Sequence, residues 1–115
     1  MTEKALKYLS DILYAIDLVN GFILSTSSFE EYAKDLKTQS AVERQVGIIG
    51  EAVNKFNSVM PDVAIRNASQ IVALRNRIIH AYDAIDNSII WTIIKKYLPQ
   101  LKQEASDLSD LLSKS

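Results

Sequence analysis

Leu6, Leu9, Leu13, Ile16 and Ile23 recur at alternating intervals of three and four, with Asn20 taking the turn between. That spacing puts them on one face of a helix, predicted from about Lys4 to Ser25. "STSSFEEYAKDL" follows, where Ser28 stands three residues before Glu31, the arrangement of a capping box opening a short second helix. Ser40 and Glu43 repeat that signature, and Val42, Val46, Ile49, Val53 and Phe56 then carry a third helical stripe to the break at "NSVMPD". Pro61 sits where a first-turn proline is tolerated, and Ile71, Leu74, Ile78, Ala81 and Ile85 mark a fourth helix. Asp86, Asn87 and Ser88 read as the next cap. From there Ile90, Ile94, Tyr97, Leu101, Leu108 and Leu111 trace a long last helix, which Pro99 deprives of one backbone bond and is expected to kink.

The pattern nowhere alternates with period two. Four long helices and a short one with brief connections predict an all-α fold, an antiparallel bundle of four to five helices forming a single domain over residues 1–115. Each long helix also carries apolar residues off its main stripe, such as Ile12, Ile48, Val72, Ile79 and Ile93. Surplus apolar surface of this kind is naturally buried in a homodimer.

Composition narrows the chemistry. The 48% apolar and 23% charged content is that of a soluble globular protein, and a net charge of −1 confines any binding of nucleic acid to a local patch. Polar residues interrupt the N-terminal apolar pattern, and no window approaches the ~18 apolar residues of a membrane helix, so a cytoplasmic location without membrane contact is expected. With no cysteine and one histidine the chain lacks the makings of a disulfide or of the usual zinc sites, and no acidic cluster has calcium-loop spacing. Neither a metal nor a cofactor is expected. Gly47 and Gly50 lie inside a helical stripe without any phosphate-loop pattern, which suits close helix packing. No serine has nucleophile-elbow surroundings.

What polar chemistry the chain has is gathered in "RNRIIHAYDAID", residues 75–86. Between Asp62 and Asp83 there is no acidic residue, whereas Arg66, Arg75 and Arg77 all fall in that stretch, a local anion site in prospect. At about 100° per residue, Arg75 and Tyr82 lie roughly 20° apart in azimuth and Asn76 and His80 roughly 40° apart on an adjoining stripe, near enough for the long arginine to bridge them. Each residue alone has an ordinary explanation: a histidine favoured by the helix dipole, solvated arginines, a half-buried tyrosine. Together they supply a group that titrates near neutral pH, a guanidinium suited to phosphate, an amide and a phenol. Cleavage of RNA without metal needs a base for the 2′-hydroxyl, an acid for the leaving oxygen and a cation for the charge on phosphorus. One chain offers one histidine, and a twofold dimer with both fourth helices in one cleft would offer two.

Arg75, four residues, His80, one residue, then Tyr82 resembles the signature of HEPN-domain ribonucleases, specifically the HepT-like toxins paired with a minimal nucleotidyltransferase (MNT) antitoxin. "AVERQVGIIGEAV", "LRNRIIHAYDAID" and "WTIIKKYLPQL" resemble that family's helices in the same order. The resemblance implies a HEPN-like helical dimer whose motif helices line a shared cleft, and metal-independent endonuclease action on RNA. It implies His80 as the catalytic histidine, Arg75 as the holder of the scissile phosphate, Asn76 as a residue orienting the site, and Tyr82 as the tyrosine that an antitoxin partner modifies with AMP. Glu51 matches a family position too, with hydrogen bonding and catalysis both open to it, and Arg77 is a further supporting cation. Two other readings remain: a non-catalytic nucleotide- or partner-binding subunit of a nucleotidyltransferase complex, and a purely structural bundle.

Overall fold

A computed structural model describes residues 2–81, 83 and 85–114, and every element in it is helical. Helix α1 (Thr2–Phe22) buries Leu9, Ile12, Ile16 and Val19, while Leu6 and Leu13 lie at the margin of that face. The inward face is therefore turned slightly from the sequence reading, and Ile12, counted there as surplus, is wholly buried. The helix ends at Phe22 rather than Ser25.

Ser28 caps α2 (Phe29–Lys34) by accepting from the Glu31 amide. Glu31 reaches back one residue further than a standard box, to the amide and hydroxyl of Ser27, at 2.7 and 3.0 Å. Helix α3 (Leu36–Val59) starts earlier than the sequence suggested: its cap is Asp35, which accepts from the Thr38 amide at 3.0 Å. Ser40 and Glu43 match the capping pattern but lie within the helix, because Asp35 already satisfies its first turn. The stripe Val42, Val46, Ile49, Val53 and Phe56 is buried throughout.

Helix α4 (Ala68–His80) is shorter than its stripe implied. Pro61 belongs to the connection after α3, and Asn67, in the left-handed region at φ 62°, turns the chain into the helix. The helix stops at His80, with Ala81 in a non-helical conformation, so Ala81 and Ile85 matched the period by coincidence. Asp86 caps α5 (Asn87–Thr92) as expected, and a π segment (Ile93–Tyr97) joins α5 to α6 (Leu98–Ser113). Pro99 explains the π segment. In an α-helix its ring would press on the carbonyl four residues back, whereas here the ladder widens and the Leu98 amide bonds the Ile93 carbonyl, five back.

Helix α1 packs on α3 and α6, and α4 packs chiefly on α3. The molecule measures 46 × 28 × 18 Å, less than two full helix diameters thick, which leaves α4 at an edge. Buried Gln39 ties three elements together: its amide donates to the Tyr32 carbonyl at 2.8 Å and its oxygen accepts from Asn87 at 3.3 Å, fixing the start of α5 against α3. No helix described is long and apolar enough to cross a membrane.

Candidate active site

Helices α3 and α4 run antiparallel: Asn54 and Asn57 lie across from residues 65–72 at one end, and Glu43 to Glu51 lie across from Arg75 to Ile79 at the other. The second stretch forms an open groove of about 630 Å³, lined by Glu43, Arg44, Gly47, Ile48, Glu51, Lys55, Arg75, Ile78 and Ile79. Three cations face two carboxylates there. The positive character expected of this region survives only in part, since Arg66 precedes α4, sits beside Glu104 and Asp107 of α6, and takes no part in the groove.

Arg75 is the best-organised polar residue of the groove. Its Nη2 pairs with Glu51 Oε2, and its Nη1 donates to Asn76 Oδ1 at 2.8 Å. The arginine thus bridges to the neighbouring stripe, as its length allowed. Lys55 lies 3.9 Å from the other Glu51 oxygen. Arg75 Nε is buried and donates to no group among the described residues. A guanidinium has five N–H donors in a planar fork, so with both ends anchored the remaining hydrogens have a fixed direction.

Gly50 is what brings the two helices this close. A Cβ there would stand 2.3 Å from Arg75 Cβ and 3.1 Å from the Ile71 carbonyl oxygen. The packing reason anticipated for both glycines holds for Gly50 alone, because a Cβ on Gly47 would meet nothing within 4 Å and its bareness keeps the groove floor open.

His80 ends α4 on its exposed side, and it is not among the groove's lining residues. Five residues at ~100° each turn it about 140° from Arg75, whereas Asn76, one turn back, shares its side. The structure therefore brings together Arg75, Asn76 and Glu51, by one hydrogen bond and one ion pair, and leaves His80 outside that set. Arg77, also in the last turn, is exposed and has no acidic partner among the described residues. Tyr82 lies outside the described residues, and the azimuth that paired it with Arg75 required α4 to continue past its observed end.

Sequence reasoning missed Glu43, Arg44 and Lys55 as groove residues. The signal was present, for 43, 47, 51 and 55 follow one another at four-residue intervals on a single face of α3. Burial pushes the Glu43 carboxyl above its ordinary range, and burial followed by the Glu43 charge pushes the buried Tyr32 hydroxyl well up in turn. Glu43 stands eight residues, ~12 Å, along α3 from Glu51, too far to touch an anion held by Arg75. Among the described residues no three His, Cys, Asp or Glu side chains gather closely enough to hold a metal ion.

Comparison with known proteins shows the family of the chain. Residues 12–108 match the ribonuclease HepT-like family. A Thermococcus cleftensis protein named "Probable ribonuclease HepT" is 37% identical over 99 residues, covering 83% of this chain and 86% of that protein. A Methanocaldococcus jannaschii protein named as a candidate RNase is 33% identical over 105 residues, covering 88% of this chain and 84% of the relative. A similarly named protein of Caldanaerobacter subterraneus is 30% identical over 106 residues, covering 88% and 90%. No solved structure matches the chain. A helical bundle with Arg75 braced on its groove, matched over most of its length to these sequences, belongs to the HepT-like ribonuclease family.

Proposed function

We propose that this chain is the toxin of a toxin–antitoxin pair, a metal-independent RNA endonuclease that acts in the cytoplasm as a twofold dimer. The observation that carries the reading is the braced fork of Arg75: Glu51 and Asn76 hold its two ends on the wall of an open groove. Such a fork suits the oxygens of a phosphodiester and stabilises charge building on phosphorus. His80 serves as the proton-transfer group, and exposed Arg77 adds to the attraction for the RNA backbone. In the reaction the 2′-oxygen loses its proton and bonds phosphorus, and the bond to the 5′-oxygen breaks as that oxygen takes a proton. The products are a 2′,3′-cyclic phosphate and a 5′-hydroxyl.

The dimer answers the separation of Arg75 from His80. Ile48 and Ile79, 37% and 49% exposed, flank the groove, and α4 packs chiefly on α3. Of the apolar residues counted as surplus from sequence, Ile12 and Ile93 are buried at home, whereas Ile48 and Ile79 stay exposed on this face. A second copy docked there would cover both isoleucines and bring another His80 to the cleft.

An MNT-type nucleotidyltransferase is the proposed antitoxin, transferring AMP from ATP to the Tyr82 hydroxyl, which loses its proton as pyrophosphate leaves. The added bulk and negative charge would oppose RNA at the mouth of a phosphate-binding cleft. Expression of the chain alone should arrest growth, His80→Ala should not, and Tyr82→Phe should resist rescue by the nucleotidyltransferase. Arrest by His80→Ala equal to wild type would remove the histidine from the mechanism.

A second reading, a nucleotide- or partner-binding subunit without catalysis, has its own support: His80 is outside the groove, and Glu51 already balances the Arg75 charge. It predicts AMP binding that depends on Arg75 and no cleavage that depends on His80.

A further inference from the structure

We propose that Gly50 is a positioning residue for Arg75, acting through the bareness of its backbone rather than through any contact with substrate. The inference deepens the ribonuclease reading and rests on it for its kinetic consequence, though not for its structural one.

Carbon atoms in contact ordinarily lie ~3.5–4.0 Å apart. A methyl group at Gly50 would place its carbon 2.3 Å from Arg75 Cβ and 3.0 Å from Cγ. Neither neighbour is the free end of a side chain: Cβ is fixed to the α4 backbone, and the Ile71 carbonyl, 3.1 Å away, is itself backbone. The conflict can be relieved only by parting the helices, by about 1 Å or more at this point. Here the stem of Arg75 begins directly against α3. Its length is therefore available to run along α3 to Glu51, the residue next to Gly50, while Nη1 still returns to Asn76 on its own helix. With the helices parted, the same side chain must first cross the added gap, and both anchors cannot be kept.

A glycine inside a helix costs roughly 1 kcal/mol relative to alanine. Gly50 sits in the middle of a 24-residue helix, which gives that cost a reason: the close approach occurs at Arg75, whose fork is anchored at both ends.

The test uses the full-length protein with wild type, Gly50→Ala and Gly21→Ala side by side. Gly21 is the control because a Cβ there meets nothing within 4 Å and it lies in the last turn of α1, away from the groove. The Arg75 Nε–Hε resonance, assigned by its loss in Arg75→Lys, reports how firmly the guanidinium is held. We expect wild type and Gly21→Ala to share one protected signal. Gly50→Ala should retain its helix content but show that signal shifted and exchanging with water at least tenfold faster. Its kcat/KM on RNA should fall about 100-fold, the typical effect of a 1 Å misplacement. An unmoved signal with wild-type kcat/KM in Gly50→Ala overturns the proposal, and so does rapid exchange at Arg75 in the wild type, which needs no variant to fold. Should the wild type cleave no RNA, the ribonuclease reading fails while the resonance still decides the role of Gly50.

Discussion

Replacing Glu51 by glutamine separates two effects that the ion pair with Arg75 combines. The amide matches the carboxylate in shape and can accept from Nη2, so the anchor weakens without disappearing. The Arg75 and Glu51 side chains are 25% and 36% exposed, placing the pair between buried and surface cases, and about 1 kcal/mol of stability should be lost. Substrate is affected in the opposite sense. A phosphate held by the free donors of Arg75 would lie ~6 Å from the Glu51 carboxylate, and an effective dielectric between ~20 and ~80 makes their repulsion roughly 1–3 kcal/mol. Its removal should lower KM about fivefold or more at low salt, with a smaller gain at 0.2 M where screening shortens the range. Looser anchoring of the fork should reduce kcat at the same time. Steady-state cleavage of a fluorogenic oligoribonucleotide at two salt concentrations, with urea unfolding alongside, measures all three quantities. A raised KM with unchanged kcat would show that Glu51 neither opposes the phosphate nor orients the arginine.

The other expectations concern the caps, the groove wall and the exposed face. Asp35 is held below the usual carboxylate range by its side-chain bond to Thr38 and then by the Thr38 amide, so its stabilisation is present above pH 3.8 and is lost as pH falls through its lowered folded-state value. Asp35→Ala should therefore melt lower than wild type at pH 7, and the difference should shrink in acid; a constant difference would refute the cap. Glu43 has the opposite sign: its raised pKa favours the folded state while protonated, and that contribution is lost as pH rises above 4.5. Glu43→Gln should accordingly melt higher than wild type at neutral pH and about equally near pH 4, whereas a lower melting point at neutral pH would mean that the carboxylate is paired. Ile79→Glu should weaken self-association in sedimentation velocity while leaving the monomer fold intact, and unchanged association would place the dimer face elsewhere.

The helices of the core were legible because their stripes are long: Val42 to Phe56 repeats its period four times, and all five residues are buried. Boundaries were less so. Ser40 and Glu43 look like a cap, and nothing local reveals that Asp35 has already supplied one four residues before Gln39. Ala81 and Ile85 extend the α4 period beyond the helix, since periodicity records spacing and not the backbone that realises it. Pro99 foretold a disturbance, but its form, a π turn placed before it, depends on how the ladder yields. At the candidate site the reach of Arg75 across to Asn76 was legible, whereas His80, read on the same motif, stands outside the groove. The pairing of Arg75 with Glu51 and the approach at Gly50 join positions more than twenty residues apart, which no pattern along one helix can express.

We propose that this groove and His80 cleave RNA by attack of its own 2′-hydroxyl. Purified wild type and His80→Ala, each incubated with a pool of labelled RNAs in EDTA and analysed for product ends, test it most directly. The wild type alone should yield 2′,3′-cyclic phosphate and 5′-hydroxyl ends. Equal cleavage by both proteins, or none by a wild type shown by mass spectrometry to carry an unmodified Tyr82, would contradict it.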